Sequence, residues 1–149
     1  MRAVVQIVRD CKVSVDGETV GQIENGLLVY LGISAVDTVS DIEYLSTKVV
    51  NLRIFPDENH KMNRTVQEAG EGIMVISQFT LYGDVRRGRR PSYDEAASPQ
   101  AAEGLYNAFL AKLTSMGFRP ASGKFQAVME VSYVNRGPVT ILVDSQKKF

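Results

Sequence analysis

Residues 2–33 carry the strongest strand signals of the chain and read RAVVQIVRDCKVSVDGETVGQIENGLLVYLGI. Val and Ile are frequent before Asp16-Gly17, a pair typical of tight hairpin turns. A second pair of this kind, Asn25-Gly26, stands before an apolar run. The pattern therefore predicts a three-stranded meander, with strands at residues 2–15, 18–23 and 27–33.

Two helices are predicted further along the chain. Ser40 and Glu43 have the spacing of a capping box, and apolar residues recur behind them at helical intervals, at Ile42, Leu45, Val49 and Leu52. For the second helix, Ser98 and Pro99 are a typical start and Gly117 is a typical end.

The C-terminal part predicts two more strands. Apolar residues alternate with polar ones over residues 125–133, and an apolar run occupies residues 139–143, with Gly137-Pro138 as the turn between them. The chain is thus expected to be one α+β domain over residues 1–149, with a β-barrel-like sheet and two main helices.

Composition limits the chemistry and the partners. Seventeen Lys and Arg residues balance seventeen Asp and Glu residues, so a contact with RNA has to be local rather than a bulk attraction. Cys11 and His60 are single residues of their types, too few for a zinc site of Cys and His ligands. We expect no metal or cofactor, and the lone cysteine and the lack of a leading signal segment favour the cytoplasm.

The segment Ser77-Gln78-Phe79-Thr80 follows the buried apolar run of residues 73–76 and brings polar groups to the end of a strand. His60 lies in a polar loop and is a poor candidate for a catalytic triad, and Cys11 fits a buried strand position. We therefore expect a site made largely from main chain, with the backbone N–H groups of Gln78, Phe79 and Thr80 at the end of the strand. Thr80 as a nucleophile is the alternative, but no base is visible to activate it, which favours a positioning role.

Two motifs, SQFTLYGD at residues 77–84 and NRGPVT at residues 135–140, resemble the signature motifs of the D-aminoacyl-tRNA deacylase (D-tyrosyl-tRNA(Tyr) deacylase) family. The similarity continues from end to end, in residues 2–6, 26–28, 51–55, 61–63 and 90–93. Two motifs in this order, with matching sequence between them, are a specific signal.

The resemblance implies hydrolysis of the ester bond of D-aminoacyl-tRNA, assisted by the neighbouring ribose hydroxyl. In such a reaction we expect the backbone N–H groups of Gln78, Phe79 and Thr80 to face the developing oxyanion. It also implies a homodimer in which a cis Gly137-Pro138 bond points its carbonyls into the partner's pocket and rejects L side chains. Glycine has no side chain to reject, so glycyl-tRNA, such as glycine mischarged on tRNA(Ala), is an expected second substrate. Asn135, Arg136 and Met129 are the further substrate-binding candidates. A simple turn is the alternative interpretation of Gly137-Pro138.

The sequence departs from the family pattern at two positions. Ile7 stands where the family commonly has arginine, and Arg136 stands where it commonly has aspartate. We interpret the pair as linked, with Arg136 bonding carbonyls across the subunit interface to hold the Gly137-Pro138 loop.

Four arginines, Arg86, Arg87, Arg89 and Arg90, lie within five residues just after the first motif. A solvated basic loop is the plain interpretation, but arginine forks suit phosphate oxygens, so contact with the RNA backbone is favoured. Phe79 is a candidate to stack on the terminal adenine. Two alternatives remain open: a noncatalytic module that binds tRNA ends, and an esterase of small amino acid esters.

Overall fold

The computed structural model describes all 149 residues. Its strands are β1 (Arg2–Val15), β2 (Glu18–Gly32), β3 (Phe55–Pro56), β4 (Met62–Arg64), β5 (Gly72–Ser77), β6 (Ala121–Ser122) and β7 (Glu130–Asp144). Its helices are α1 (Val39–Val50), α2 (Val66–Ala69) and α3 (Pro99–Ser115), and a 3-10 turn spans Phe79–Tyr82. The α+β class is confirmed.

Five strands form one sheet in the order β6-β5-β2-β1-β7, while β3 and β4 pair separately. The sheet is open because β6 and β7 lie at opposite edges, so the prediction of a barrel-like sheet is wrong. Strands β2 and β5 are parallel, and such a pair needs a long crossover, which here carries α1. Apolar residues of α1 and α3 pack with those of the central strands in the larger of two buried clusters. None of the helices is both long and apolar enough to cross a membrane.

The predicted three-stranded meander is a two-stranded hairpin. Strand β2 runs unbroken through Asn25-Gly26 and pairs with β1 along its whole length. Gly26 has φ of 149°, and a Cβ at this position would collide with the backbone of Gly72 on β5. The glycine therefore serves the close approach of a neighbouring strand rather than a chain reversal.

The two strands predicted in the C-terminal part form a single strand in the structure. Strand β7 continues through Gly137-Pro138, and residues 125–129 lie before it. Gln6 pairs with Thr140 and Val8 with Asn135, so the residues between Asn135 and Thr140 stand opposite Ile7 alone. Gly137-Pro138 thus lies in a bulge within an edge strand, which we call the 136–139 bulge, and the prediction of a turn between two strands is wrong.

The helix starts agree with the sequence in one case of two. Ser98 precedes α3 and Pro99 is its first residue, as predicted. Helix α1 begins earlier than predicted, after Thr38, because the Asp41 carboxylate accepts a hydrogen bond from the Thr38 N–H at 2.8 Å. Ser40 and Glu43 are therefore not its cap. The short helix α2 lies in a segment that has no clear helical period.

Cys11 is buried in the smaller apolar cluster, on the other face of the sheet from α1 and α3. Burial raises the pKa of its thiol to about 11, which keeps it protonated and unreactive. Its predicted role as a small hydrophobe fits this position.

Candidate functional site

A cavity of about 590 Å³ lies between the end of β5 and the start of α3. Ser77, Gln78 and Phe79 form one wall, and Met129 lies on another. Alanines and Pro99 from the start of α3 complete a mostly apolar lining. Four of the sequence-predicted residues therefore line this cavity, and Thr80 follows Phe79 just outside the lining.

The cavity walls contain no carboxylate, imidazole, amine or thiol, and Tyr93 is their one titratable side chain. Acid–base catalysis normally needs such a group within hydrogen-bond reach of the reacting atoms. Main-chain dipoles, hydroxyls and amides are what this cavity offers instead.

The 79–82 turn is fixed to the end of β2. The Gln78 N–H donates to the Leu31 carbonyl at 2.8 Å, so this N–H is occupied and is not one of the free donors that the sequence predicted. The N–H groups of Phe79 and Thr80 begin the turn, and no carbonyl within the turn is placed to accept from them. Both residues are exposed. These two N–H groups are the candidates for binding an oxyanion.

The Thr80 hydroxyl accepts a short hydrogen bond from the Gln78 side-chain amide. An amide N–H is a donor and cannot take the hydroxyl proton, so this contact orients Thr80 without activating it.

The mouth of the cavity is aromatic. The Phe79 and Tyr93 rings meet edge to face with centroids 4.9 Å apart, and 55% and 37% of these residues stay exposed. Sequence reasoning singled out Phe79 and missed Tyr93. The Tyr93 position lies in an irregular loop, where no periodicity indicates which side chains turn toward the cavity.

The 136–139 bulge is held by amide and hydroxyl side chains. Asn135 accepts from the Val139 N–H at 3.3 Å and donates to the Thr140 hydroxyl at 3.2 Å. Gln6 donates to the same hydroxyl at 3.0 Å. The Gly137-Pro138 bond is cis, and both residues are exposed. Asn135 therefore braces the bulge, and Gln6 is a further bracing residue that sequence reasoning missed.

Arg136 has a partner within its own chain. Its guanidinium lies 3.4 Å from Glu71 Oε1, just before β5, while Glu71 Oε2 is buried without a hydrogen bond. The sequence interpretation gave Arg136 carbonyl partners across an interface. The chain itself provides a carboxylate, and a guanidinium fork prefers a carboxylate to a carbonyl.

The two motifs lie far apart within one chain. Strand pairing aligns Ser77 with Leu31, Ala3 and Val143, whereas the 136–139 bulge lies opposite Ile7. The separation is about 14 Å across the strands and about 13 Å along them, or on the order of 20 Å. No residue of 135–140 lines the cavity. Asn135, Arg136, Gly137 and Pro138 are thus not brought to the cavity of their own chain.

The arginine loop, residues 84–92, closes on itself through a bridge between Asp84 and Ser92. Arg86 donates from its side chain to both Asp84 carboxylate oxygens, at 2.9 and 2.7 Å. These bonds hold the pKa of Asp84 at about 2, so the pair persists at neutral pH and is lost only as the pH falls toward that value. Arg87, Arg89 and Arg90 are exposed and have no ion pair, which leaves three arginines rather than four free for phosphate.

Comparisons with known proteins identify the family of the chain. The family model described as D-Tyr-tRNA(Tyr) deacylase matches residues 4–144. A D-aminoacyl-tRNA deacylase of Symbiobacterium thermophilum is 54% identical over all of this chain and 99% of its own, and one of Thermosipho africanus is 52% identical over all of both chains.

Among solved structures, that of the c-Myc DNA Unwinding Element Binding Protein superposes with a TM-score of 0.91 at 40% identity, covering 97% of this chain and 98% of that one. The resemblance seen in the two sequence motifs is confirmed over the full length. The chain therefore belongs to the D-Tyr-tRNA(Tyr) deacylase family.

Proposed function

We propose that the protein hydrolyses the ester bond of D-aminoacyl-tRNA and releases the free D-amino acid and tRNA. The observation that carries this proposal is a cavity that borders the 79–82 turn, where the N–H groups of Phe79 and Thr80 have no acceptor within the turn, and whose walls hold no acid or base beyond one phenol. An aminoacyl ester on a ribose is already an activated acyl group, so positioning and polarisation are sufficient help. The names of the full-length relatives support the same reaction.

In the proposed reaction the ester carbonyl oxygen points at the N–H groups of Phe79 and Thr80. Water adds to the carbonyl carbon, with the neighbouring ribose hydroxyl relaying its proton to the departing ribose oxygen. The bond from the acyl carbon to that oxygen then breaks, which leaves a free ribose hydroxyl and a carboxylic acid that loses its remaining proton to solvent and becomes a carboxylate. One main-chain donor to the oxyanion is typically worth about 2.7 to 4 kcal/mol.

Chiral selection requires a second chain in this proposal. The Gly137-Pro138 carbonyls of one protomer enter the cavity of its partner and hold the substrate amino group, so that an L side chain meets main chain. The separation of the two motifs within one chain, on the order of 20 Å, supports a shared site in a symmetric dimer. Glycyl-tRNA, which has no side chain to reject, is the second substrate, including glycine mischarged on tRNA(Ala).

The deciding assay measures release of labelled amino acid from matched D-aminoacyl-, L-aminoacyl- and glycyl-tRNA. We expect rapid release of D-amino acids, slower release of glycine and negligible release of L-amino acids. Binding of tRNA ends without release would favour the noncatalytic alternative. Equal cleavage of small D-amino acid esters that lack ribose would favour the esterase.

The reaction belongs to the cytoplasm, and residues 1–149 act as one deacylase domain.

Replacing Thr80 with valine keeps the shape of the side chain and removes its hydroxyl. We expect kcat to fall by no more than about tenfold, because the Thr80 hydroxyl is hydrogen-bonded to the Gln78 amide and has no base to make it attack the ester. Single-turnover kinetics with D-Tyr-tRNA measure this, with acid quench to look for an acyl-enzyme. A trapped acyl group, or a loss of about a million-fold as for a true nucleophile, would overturn the positioning role.

If the arginine loop binds phosphates of the tRNA, the affinity for tRNA should depend on the salt concentration. Replacing Arg87, Arg89 and Arg90 together with alanine should weaken binding and flatten the dependence of log Kd on log salt by about 0.7 to 0.9 for each phosphate that the protein no longer binds. Arg86→Ala is the matched control, because Arg86 is already paired with Asp84. An unchanged salt slope in the triple variant would show that the loop does not bind phosphate.

A further inference from the structure

Arg2 joins the start of β1 to the 79–82 turn. Its Nη1 donates to the Leu81 carbonyl at 3.0 Å, and its guanidinium carbon lies 4.3 Å from the centre of the Tyr82 ring. The guanidinium is mostly buried, with 21% of the side chain exposed. Two consecutive residues of the turn are therefore held by one side chain, through a hydrogen bond and a cation–π contact.

The same guanidinium is anchored on its other side. Arg2 Nε donates to Asp144 Oδ2 at 3.0 Å, at the end of β7. Asp144 is buried, and its other carboxylate oxygen accepts from the Gln146 N–H at 2.6 Å. A planar guanidinium can bind a carboxylate with one nitrogen while another stays directed at the turn, which the single ammonium of lysine cannot reproduce.

The contacts of Arg2 fall directly beside the proposed oxyanion donors. Phe79 and Thr80 are exposed, so the contacts that fix the C-terminal end of their turn are made at residues 81 and 82. The near side is held by the bond from the Gln78 N–H to the Leu31 carbonyl. Oxyanion donors act only when they are fixed before the reaction, and a displacement of about 1 Å costs about a hundredfold in rate.

We propose that Arg2 is a positioning residue of the reaction, which fixes the 79–82 turn so that the N–H groups of Phe79 and Thr80 point at the oxyanion. Arg2 does not touch the substrate and acts through Leu81 and Tyr82. The inference rests on the proposed function, because it assigns Arg2 to the turn that polarises the ester.

The test compares Arg2→Met, Arg2→Lys and the double variant Arg2→Met/Asp144→Asn. Arg2→Met alone would leave the Asp144 carboxylate buried without a cation, and the double variant removes that negative charge. Arg9→Met is the matched control, because Arg9 lies on the same strand and pairs with Asp10 at the surface. Deacylation of D-Tyr-tRNA gives kcat and KM, and amide hydrogen exchange of residues 79–82 reports the order of the turn.

We expect Arg2→Met and the double variant to lose about ten- to a hundredfold in kcat, with KM within about twofold of wild type and faster exchange confined to the turn. Arg2→Lys should recover part of the kcat of Arg2→Met, and Arg9→Met should match wild type. A double variant with wild-type kcat would overturn the proposal, since Arg2 would then serve only to neutralise Asp144. A kcat loss that only follows a lower folded fraction would overturn it as well.

The two proposals fail in distinguishable ways. If wild-type protein releases no amino acid from any aminoacyl-tRNA, the proposed function fails. The link from Arg2 to the turn is still decided by hydrogen exchange, where an unchanged rate at residues 79–82 in the double variant would disprove it.

Discussion

Replacing Gly32 with alanine is expected to lower kcat by about ten- to a hundredfold while the protein stays folded. Gly32 ends β2, and a Cβ at this position would lie 3.0 Å from both the Gln78 carbonyl oxygen and Leu81 Cβ, and 3.3 Å from the Tyr82 ring. All three atoms belong to the turn segment, so relief of the contact moves the turn and misdirects the oxyanion donors. Steady-state deacylation of D-Tyr-tRNA measures the loss.

The control for this variant is Gly104→Ala. Gly104 lies within α3, where a Cβ would meet no other atom within 4 Å and the backbone is not left-handed. Alanine there should leave kcat unchanged and raise stability by up to about 1 kcal/mol. Wild-type kcat in Gly32→Ala would mean that the turn tolerates displacement, and the assignment of its N–H groups to the oxyanion would be wrong.

Two variants of low activity are expected to restore each other when they form a heterodimer. Gly137→Ala places a Cβ 2.7 Å from Val139 Cγ2 at a residue with φ of 112°, so it should deform the 136–139 bulge and cost about a hundredfold in activity. A heterodimer of Gly32→Ala and Gly137→Ala protomers keeps one site in which an intact turn faces an intact bulge. Its activity should therefore reach about half that of wild type.

The experiment co-expresses the two variants with different affinity tags and purifies the heterodimer by both tags. A heterodimer of two differently tagged Gly32→Ala chains is the control and should keep the low activity of that variant. If the mixed heterodimer is no more active than its parents, or if light scattering shows only monomers, the shared site is disproved.

Local patterns in the sequence predicted the elements near the site better than their arrangement. The frequency of Val and Ile identified strand β1, and Ser98-Pro99 identified the start of α3, because both signals depend on neighbours along the chain. Asn25-Gly26 was misleading, since a glycine needed for the approach of Gly72 looks the same in sequence as a glycine needed for a turn. The open sheet, with β6 and β7 at its two edges, likewise depends on pairing between strands that are distant in the chain, which no local pattern encodes.

The candidate site was likewise predicted well where it depends on neighbouring residues and poorly where it depends on distant ones. The segment from Ser77 to Phe79 lines the cavity as its composition suggested, but which N–H groups are free depends on a bond to Leu31 on another strand. Arg86 looked equivalent to its neighbours until its carboxylate partner was placed. Arg2 belongs to the stretch of family resemblance at residues 2–6, but no local pattern indicated its contacts, because they join three segments that are distant in sequence and meet only in the fold.

The scarcity of ionisable groups around the reacting ester bears on how the enzyme responds to acidity. Enzymes that rely on a side-chain acid and base lose rate on both sides of an optimum, as one group gains a proton and the other gives one up. Here the walls contribute only a phenol, so between mild acid and mild alkali the rate profile should lack the two-sided bell and follow the ionisation of the substrate. A cell whose internal pH drifts would keep this deacylation running.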